Sequence, residues 1–577
     1  MQKAEERVTW LVDVKGGSDM QELKIPVGVS DFEKIREENY YYIDKTGLIV
    51  ELLKDRPAEV TLITRPRRFG KTLGMSMLES FFDIRKNNQA LFEGLRICED
   101  TELYQSWMNQ YPTIFLSFKR VDGLNFSEAY GMLCSVIAEL CIEHKYLTDS
   151  GRVDAYDKAA IMALSEGKAD TIEVKNSLQT LTRAMSAYYG KKVVLLMDEY
   201  DVPIAKASSH GYYQEMLVVM KGIMQALKDN KALKLAVVTG CLKLAKESIF
   251  TGTNNFVSDS ITLARFHEYF GFTQGDVNRI LEDSEHLDHK AELKAWYDGY
   301  RFGESDVYCP WDVMNYVRDL QYNPEAEPAS YWKNTSDNAI IRSFIDYAGS
   351  NITQKLETLL AGGTITQRID DNLTYDYLHS SEENLWSILY LTGYLTRSNE
   401  KNGESGKDEE VITLKIPNKE IQEIFETTIV KWFNDSAKGW SRKELFEAVW
   451  NGDCELLTQE ITKLLRKTIS YHDYKEDFYH AFLAGIFAGA GYSVESNKEH
   501  GEGRSDIVVR DTENGRVAIF EVKLADTLNQ MEEKCAEAVE QIENRMYAKD
   551  FEDDYDQILC YGIAFFRKRG LVKRKQI

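Results

Sequence analysis

A chain of 577 residues is too long for one hydrophobic core, so three or four domains are expected. Its composition, 43% hydrophobic and 28% charged, is that of a globular protein, and it has no run of about 18 apolar residues to cross a membrane. A net charge of −23 argues against coating nucleic acid by bulk charge, while leaving room for a local basic groove.

The opening MQKAEERVTWLVDVKGG lacks an apolar secretory core. Residues 1–22 read as a loose extension, and Met20 is an alternative start, because patterned sequence begins at LKIPVGVSDF. From 23 to about 240, apolar runs alternate with helical stretches. VTLITR (60–65), TIFLSF (113–118), VVLLMD (193–198) and LKLAVVTG (233–240) predict strands buried on both faces of a parallel sheet. Helices are expected at 128–144 and 212–230, giving an α/β domain. Residues 241–350 read as a helical lid interrupted by the turns YDGYRFGE and YCPWD. Residues 351–470 form a helical linker region, in which LWSILYLTGYLTRSN, the loop EKNGESGKDEE and the strand VITLKIP are winged-helix-like. The same order of elements also suits any helix packed on a hairpin. A second α/β unit is expected over 471–577. The eight cysteines form no C-x-x-C pair or zinc spacing and read as reduced core thiols of a cytoplasmic protein.

Gly70-Lys71-Thr72 falls between a strand and a helix, the context a phosphate-binding loop (P-loop) requires. Helix N-terminal amides attract phosphate oxygens, Lys71 supplies charge to the β- and γ-phosphates, and the Thr72 hydroxyl can ligate Mg²⁺. The strand VVLLMD ends in Asp198, suited to Mg²⁺, and Glu199, suited to polarising a water. Thr239 ends another strand, as a γ-phosphate sensor or simply a strand terminus. ATP is the expected ligand. The spacing G-x-x-x-x-G-K-[ST] is broken, since Arg65 stands in place of the first glycine. Arg65, Arg67 and Arg68 add cations around a triphosphate, and Arg68 joins Gly70, Lys71, Thr72, Asp198 and Thr239 as a candidate nucleotide contact.

KIPVGVSDFEKIREENYYYIDKTGLI, ITRPRRFGKTLGMSMLESFF, MDEYDVPI and KESIFTGTNNF, continuing through YFGFT, WYDGYRFG and YWKNTSDN, closely resemble the bacterial AAA-ATPase-like family over about 23–340. In that family R-P-R-R-F-G-K-T is the usual loop, so Arg65 is not a defect. The resemblance implies that Tyr42, Asp44 and Lys45 sit near the nucleotide; a segment capping the sheet is the other reading. Lys243 stands where an arginine is common, which puts hydrolysis rather than binding in question.

In the last hundred residues, Asp506 heads an apolar strand, and Glu521 and Lys523 share one face of the next. This D-x(14)-E-x-K pattern looks like the PD-(D/E)XK nuclease superfamily, with Ser505 in the proline position, and implies a restriction-endonuclease-like α/β domain. By itself, E-x-K on a strand also suits a solvated face. Asp506 and Glu521 would hold Mg²⁺ or Mn²⁺, Glu476 on the preceding helix would extend the metal shell, and Lys523 would act on water or phosphate. Gln541 and Tyr547 match a Q-x(5)-Y tail in similar nucleases, with Gln541 expected to position lysine or phosphate. The basic run RKRGLVKRK (567–575) places positive charge beside this site, or is a solvated end.

The expected protein is a nucleotide-gated nuclease of bacterial defence, toxin or mobile-element type, acting on DNA ahead of RNA, without a membrane and compatible with a homo-oligomer. The competing reading is an ATP-driven switch whose C-terminal domain binds nucleic acid without cutting it.

Overall fold

The computed structural model describes residues 23–54, 58–243, 256–332, 355–373 except 357, 361 and 372, 382–398, 411–436, 443–468, 476–500 except 489 and 491, and 503–574 except 513. It is a mixed α/β structure with a parallel sheet in its N-terminal part, helices in its middle and a second sheet at its C-terminal end.

The first sheet contains β1 (Val60–Thr64), β2 (Thr113–Ser117), β3 (Val193–Asp198), β4 (Leu233–Gly240) and β5 (Phe256–Asp259). They lie in the order β2-β3-β4-β1-β5, all parallel. Alternate residues of the apolar runs feed two cores. Leu62, Leu195 and Met197 face one; Ile63, Val194 and Leu196 face the other. Such two-sided burial is why the runs are continuous rather than alternating. β5 lies beyond 240, in the stretch expected to be a helical lid, and forms the sheet's edge.

Helix α1 (Lys71–Phe82) follows β1 directly, and α2 (Phe126–Glu143), α3 (Thr171–Tyr189) and α4 (Tyr213–Ile223) are crossover helices. α3 starts at a reciprocal cap between Asp170 and Glu173 and stops at Gly190, whose φ of 66° is left-handed. The chain leaves β1 between β4 and β5 and reaches β2 at the opposite edge. Ligands of open α/β sheets bind at such reversals, outside the strands' carboxyl ends.

The middle holds the hairpin β6 (Tyr300–Phe302) and β7 (Ser305–Val307), then α5 (Pro310–Tyr322). A small antiparallel sheet follows, of β8 (Ile365–Arg368), β9 (Thr396–Arg397) and β10 (Val411–Lys415), with α6 (Glu382–Leu391) before β9. β10 is central, paired with β9 and also with β8, which the sequence pattern did not reveal. Helix α7 (Lys419–Ser436) leads on to α8 (Cys454–Thr468) and α9 (Glu476–Ala488).

The second sheet has the order β11-β12-β13-β14-β15: β11 (Ser493–His500), β12 (Gly503–Asp511), β13 (Arg516–Leu524), β14 (Gln557–Phe566) and β15 (Arg569–Arg574). Only β13 and β14 run parallel, and α10 (Met531–Asn544) makes their crossover. At Gly562 a Cβ would lie 2.7 Å from the Cys535 carbonyl oxygen, so glycine lets α10 pack tightly on the sheet. All eight cysteines are free thiols.

Candidate active sites

At the carboxyl end of β1, Gly70 adopts φ 81° and precedes α1 with no side chain capping that helix. The first amides of α1 thus lack a side-chain acceptor, the arrangement that suits an anion. The Lys71 ammonium is buried and donates to the carbonyl oxygens of Arg65 (3.0 Å) and Pro66 (2.9 Å). Thr72 donates to Asp198 at 2.9 Å, and Thr239 donates to the other oxygen of the same carboxylate at 2.6 Å. Asp198 therefore ties β3 to α1 and β4. Glu199 beside it has φ 53°, a left-handed conformation costly for a side-chain-bearing residue and concentrated at functional sites. Burial raises the Glu199 carboxyl above its ordinary range, with Lys71 opposing and Asp198 adding. These residues fit a magnesium-bound triphosphate.

The arginines divide. Arg65 is closed to solvent and turned away from the loop, paired with Asp259 of β5 at 2.5 Å and bonded to the Thr64 and Asp259 carbonyl oxygens. The idea that it adds a cation around the triphosphate is therefore corrected: its charge is used to fasten β1 to β5. Arg68, at φ 71°, donates to the carbonyl oxygens of Tyr331 (3.3 Å) and Trp332 (3.4 Å) and lies over the Trp311 and Trp332 rings. Beside it, Asp312 and Glu420 are buried together, and Glu420 accepts the Trp332 backbone amide at 2.8 Å. Burial pushes both carboxyls up, and Asp312 pushes Glu420 further.

Asp44 accepts the Thr46 and Arg96 amides, and Lys45 pairs with Asp276. These contacts favour the capping reading of that segment. Tyr200 and Asp201 were missed. The Tyr200 hydroxyl donates to the Leu242 carbonyl, and Asp201 accepts the Cys241 and Leu242 amides at 3.0 Å, so both hold the turn after Thr239. Their signal was the full M-D-E-Y-D string. Lys243 lies at the end of the described part of this turn.

In the second sheet, Ile507 pairs with Phe520, and one further step of that register brings Asp506 opposite Glu521. Asp506 accepts the Val522 amide at 2.7 Å. Glu521 is buried, receives Lys523 at 2.8 Å on one oxygen, and has no hydrogen-bond partner on its Oε2 among the described residues. Burial raises its carboxyl to about 7, with Lys523 opposing and Asp506 adding. A buried carboxylate oxygen without a donor, opposite a second carboxylate, suits a divalent cation. Among the described residues, no group of three His, Cys, Asp or Glu side chains gathers at metal-holding distance. Glu476 begins α9, but its side chain lies outside the described residues.

His480, which sequence reasoning missed, is buried on α9 with Nε2 3.3 Å from Asp506. Its signal was a spacing of one helical turn from Glu476. Gln541 donates to the Tyr547 hydroxyl at 3.4 Å. The Tyr547 hydroxyl is raised mainly by burial, with further upward pushes from Glu521 and Asp506.

Residues 26–250 match the family described as "Predicted AAA-ATPase", and residues 474–575 match the PD-(D/E)XK nuclease superfamily. The two segments are an AAA-ATPase-like domain and a PD-(D/E)XK nuclease superfamily domain. The chain is also similar to an "Uncharacterized protein in vnfD 5'region" of Azotobacter chroococcum mcd 1, 24% identical over 561 residues, covering 95% of this chain and 97% of that one. Among the described residues, no helix is long and apolar enough to cross a membrane.

Proposed function

We propose that this chain binds and hydrolyses ATP with Mg²⁺ and cleaves nucleic acid at the second sheet in a manner governed by nucleotide state. The observation that carries the nuclease reading is Glu521: buried, opposite Asp506, joined to Lys523 and left with a bare oxygen. Asp506 and Glu521 would hold Mg²⁺ or Mn²⁺, with Glu476 as an additional ligand. A cation there supplies neutralisation of the scissile phosphate and an acidified water. Lys523 orients that water or stabilises the phosphate's added charge, and His480 steadies Asp506. In the first domain Lys71 exchanges its loop carbonyls for phosphate oxygens, Thr72 and Asp198 serve Mg²⁺, and Glu199 orients the attacking water.

Regulation is supported by one helix. α7 carries Glu420 at its start, beside Arg68 of the phosphate loop, and packs against α9, which carries His480. Eighteen residues span about 27 Å. A cytoplasmic bacterial defence, toxin or mobile-element role, DNA ahead of RNA, fits this reading.

The test is incubation of the purified protein with plasmid DNA and with RNA, with Mg²⁺ or Mn²⁺, and with no nucleotide, ADP or ATP. Cleavage that requires metal and changes with nucleotide is expected. Metal-dependent cleavage at one rate in all three states removes the regulation. The second reading is an ATP-driven switch whose C-terminal domain binds nucleic acid without cutting it. Binding without cleavage in every condition selects it.

A further inference from the structure

The turn between β14 and β15 is unusual for what it is made of. Phe566 pairs with Arg569, so Arg567 and Lys568 are the two central residues of a tight hairpin. Arg567 has φ 52°. Such positions are ordinarily filled by Asn, Asp or Gly, which adopt this conformation at little cost. An exposed arginine here keeps a strain that those residues would relieve. Among the described residues no ion pair accounts for it: its guanidinium lies against the adjacent Phe566 ring, 5.2 Å from the centroid. Lys573, further along the same basic run, is by contrast paired with Glu532.

The turn is also fixed relative to the carboxylates. Tyr479 stacks on Phe565, with ring centroids 4.1 Å apart, and its hydroxyl donates to the Arg567 carbonyl at 2.8 Å. The next residue, His480, meets Asp506. β13 and β14 run parallel, with Glu521 beside Gly562 and Lys523 beside Ala564. The turn begins about four residues past that level, roughly 13 Å along the strand. A nucleic-acid strand advances about 3.4 Å per nucleotide, so this reach corresponds to about four nucleotides.

We propose that Arg567 and Arg569 form a phosphate-binding turn that seats the sugar–phosphate backbone of a nucleic acid about four nucleotides from the bond facing Asp506 and Glu521. The proposal rests on the nuclease reading and states where its substrate lies. Fixed cations on a chain of net charge −23 give a polyanion a local landing place that the whole surface does not. Backbone contacts position without reading bases, so the turn's contribution is independent of sequence.

The test measures binding of full-length protein to labelled duplex DNA, single-stranded DNA and RNA over a range of salt, once in EDTA and once with Ca²⁺, to suppress cleavage. Arg567→Gly and Arg569→Gln are each expected to weaken binding equally across sequences and to reduce the salt slope of log K by about one. Arg567→Gly should at the same time keep or raise the melting temperature, which separates lost binding from lost folding. The polymer whose binding falls identifies the substrate class. Wild-type binding with affinity and slope unchanged in both variants overturns the proposal alone. Failure of the wild type to bind any of the three polymers overturns it together with the nuclease reading.

Discussion

The guanidinium of Arg65 and the carboxylate of Asp259 meet in a space closed to solvent, at the ends of neighbouring strands β1 and β5. The residue that breaks the glycine spacing of the phosphate loop is therefore part of the sheet's fastening. Removing one member of a buried pair strands the other charge at a cost of about 3–5 kcal/mol. Arg65→Gly, which restores the glycine spacing, is expected to lower stability by that order without tightening ATP binding. Urea unfolding and nucleotide titration of the variant check both parts; a stable variant with improved affinity contradicts the assignment.

Lys71→Ala is expected to weaken ATP binding by about tenfold or more, since a charged hydrogen bond contributes about 1.5–3 kcal/mol. Glu199→Gln should bind ATP as the wild type does and lose hydrolysis. Equal ATP affinity in wild type and Lys71→Ala defeats the phosphate-loop reading.

At the second site, Asp506→Ala should lose Mn²⁺ binding and cleavage while keeping the fold, because it removes one of two crowded carboxylates. Lys523→Ala should keep metal binding and lose rate. Calorimetry and cleavage assays on the two variants separate these roles. Cleavage that survives in both would place the activity elsewhere.

The Glu521 carboxyl, raised to about 7, makes metal binding pH-dependent. Below that value the folded protein holds a proton that a cation must displace. Mn²⁺ affinity should therefore rise between pH 6 and 8, with proton release on the acid side. A Mn²⁺ affinity that does not change over this range contradicts the role of Glu521.

Asp312 and Glu420 govern a different pH effect. Both folded-state carboxyls are raised, so the folded chain holds protons that the unfolded chain has released. Their contribution to stability is complete below the ordinary carboxylate value of about 4 and is lost as pH rises through the elevated values. Glu420→Gln, neutral at every pH, should gain stability relative to wild type from pH 5 to pH 9. Parallel melting curves of the two proteins across that range would show that the pair does not titrate as described.

Much of this was legible in the sequence where chemistry and pattern are local. The four apolar runs became β1 to β4 because burial on both faces leaves an unbroken hydrophobic string. Gly70-Lys71-Thr72 and Asp198-Glu199 could be placed from strand ends alone. β5 was hidden because Phe256–Asp259 is short and half polar, with no periodicity to read. Arg65 was misjudged for a related reason: its partner lies 194 residues away, beyond any local pattern. His480 lies one helical turn from Glu476, but a single histidine at that spacing suits an ordinary packed helix face as well as a site, and its partner Asp506 lies on a distant strand. The positive φ of Glu199 has no sequence signature, since glutamate rarely adopts it.

The position of β1 has a consequence for the chain as it is made. Its neighbours are β4 on one side and β5 on the other, with Val60 facing both Ala236 and Phe256. Neither partner exists when β1 leaves the ribosome. At about 5–20 residues per second, the 194 residues from Arg65 to Asp259 take roughly ten to forty seconds to synthesise. Until β4 emerges this strand of the first sheet has two unpaired edges, and until β5 follows it has one, the form of peptide that aggregates or recruits a chaperone. The Arg65–Asp259 pair cannot form before β5 is made, so the first sheet is fastened only after its edge strand emerges.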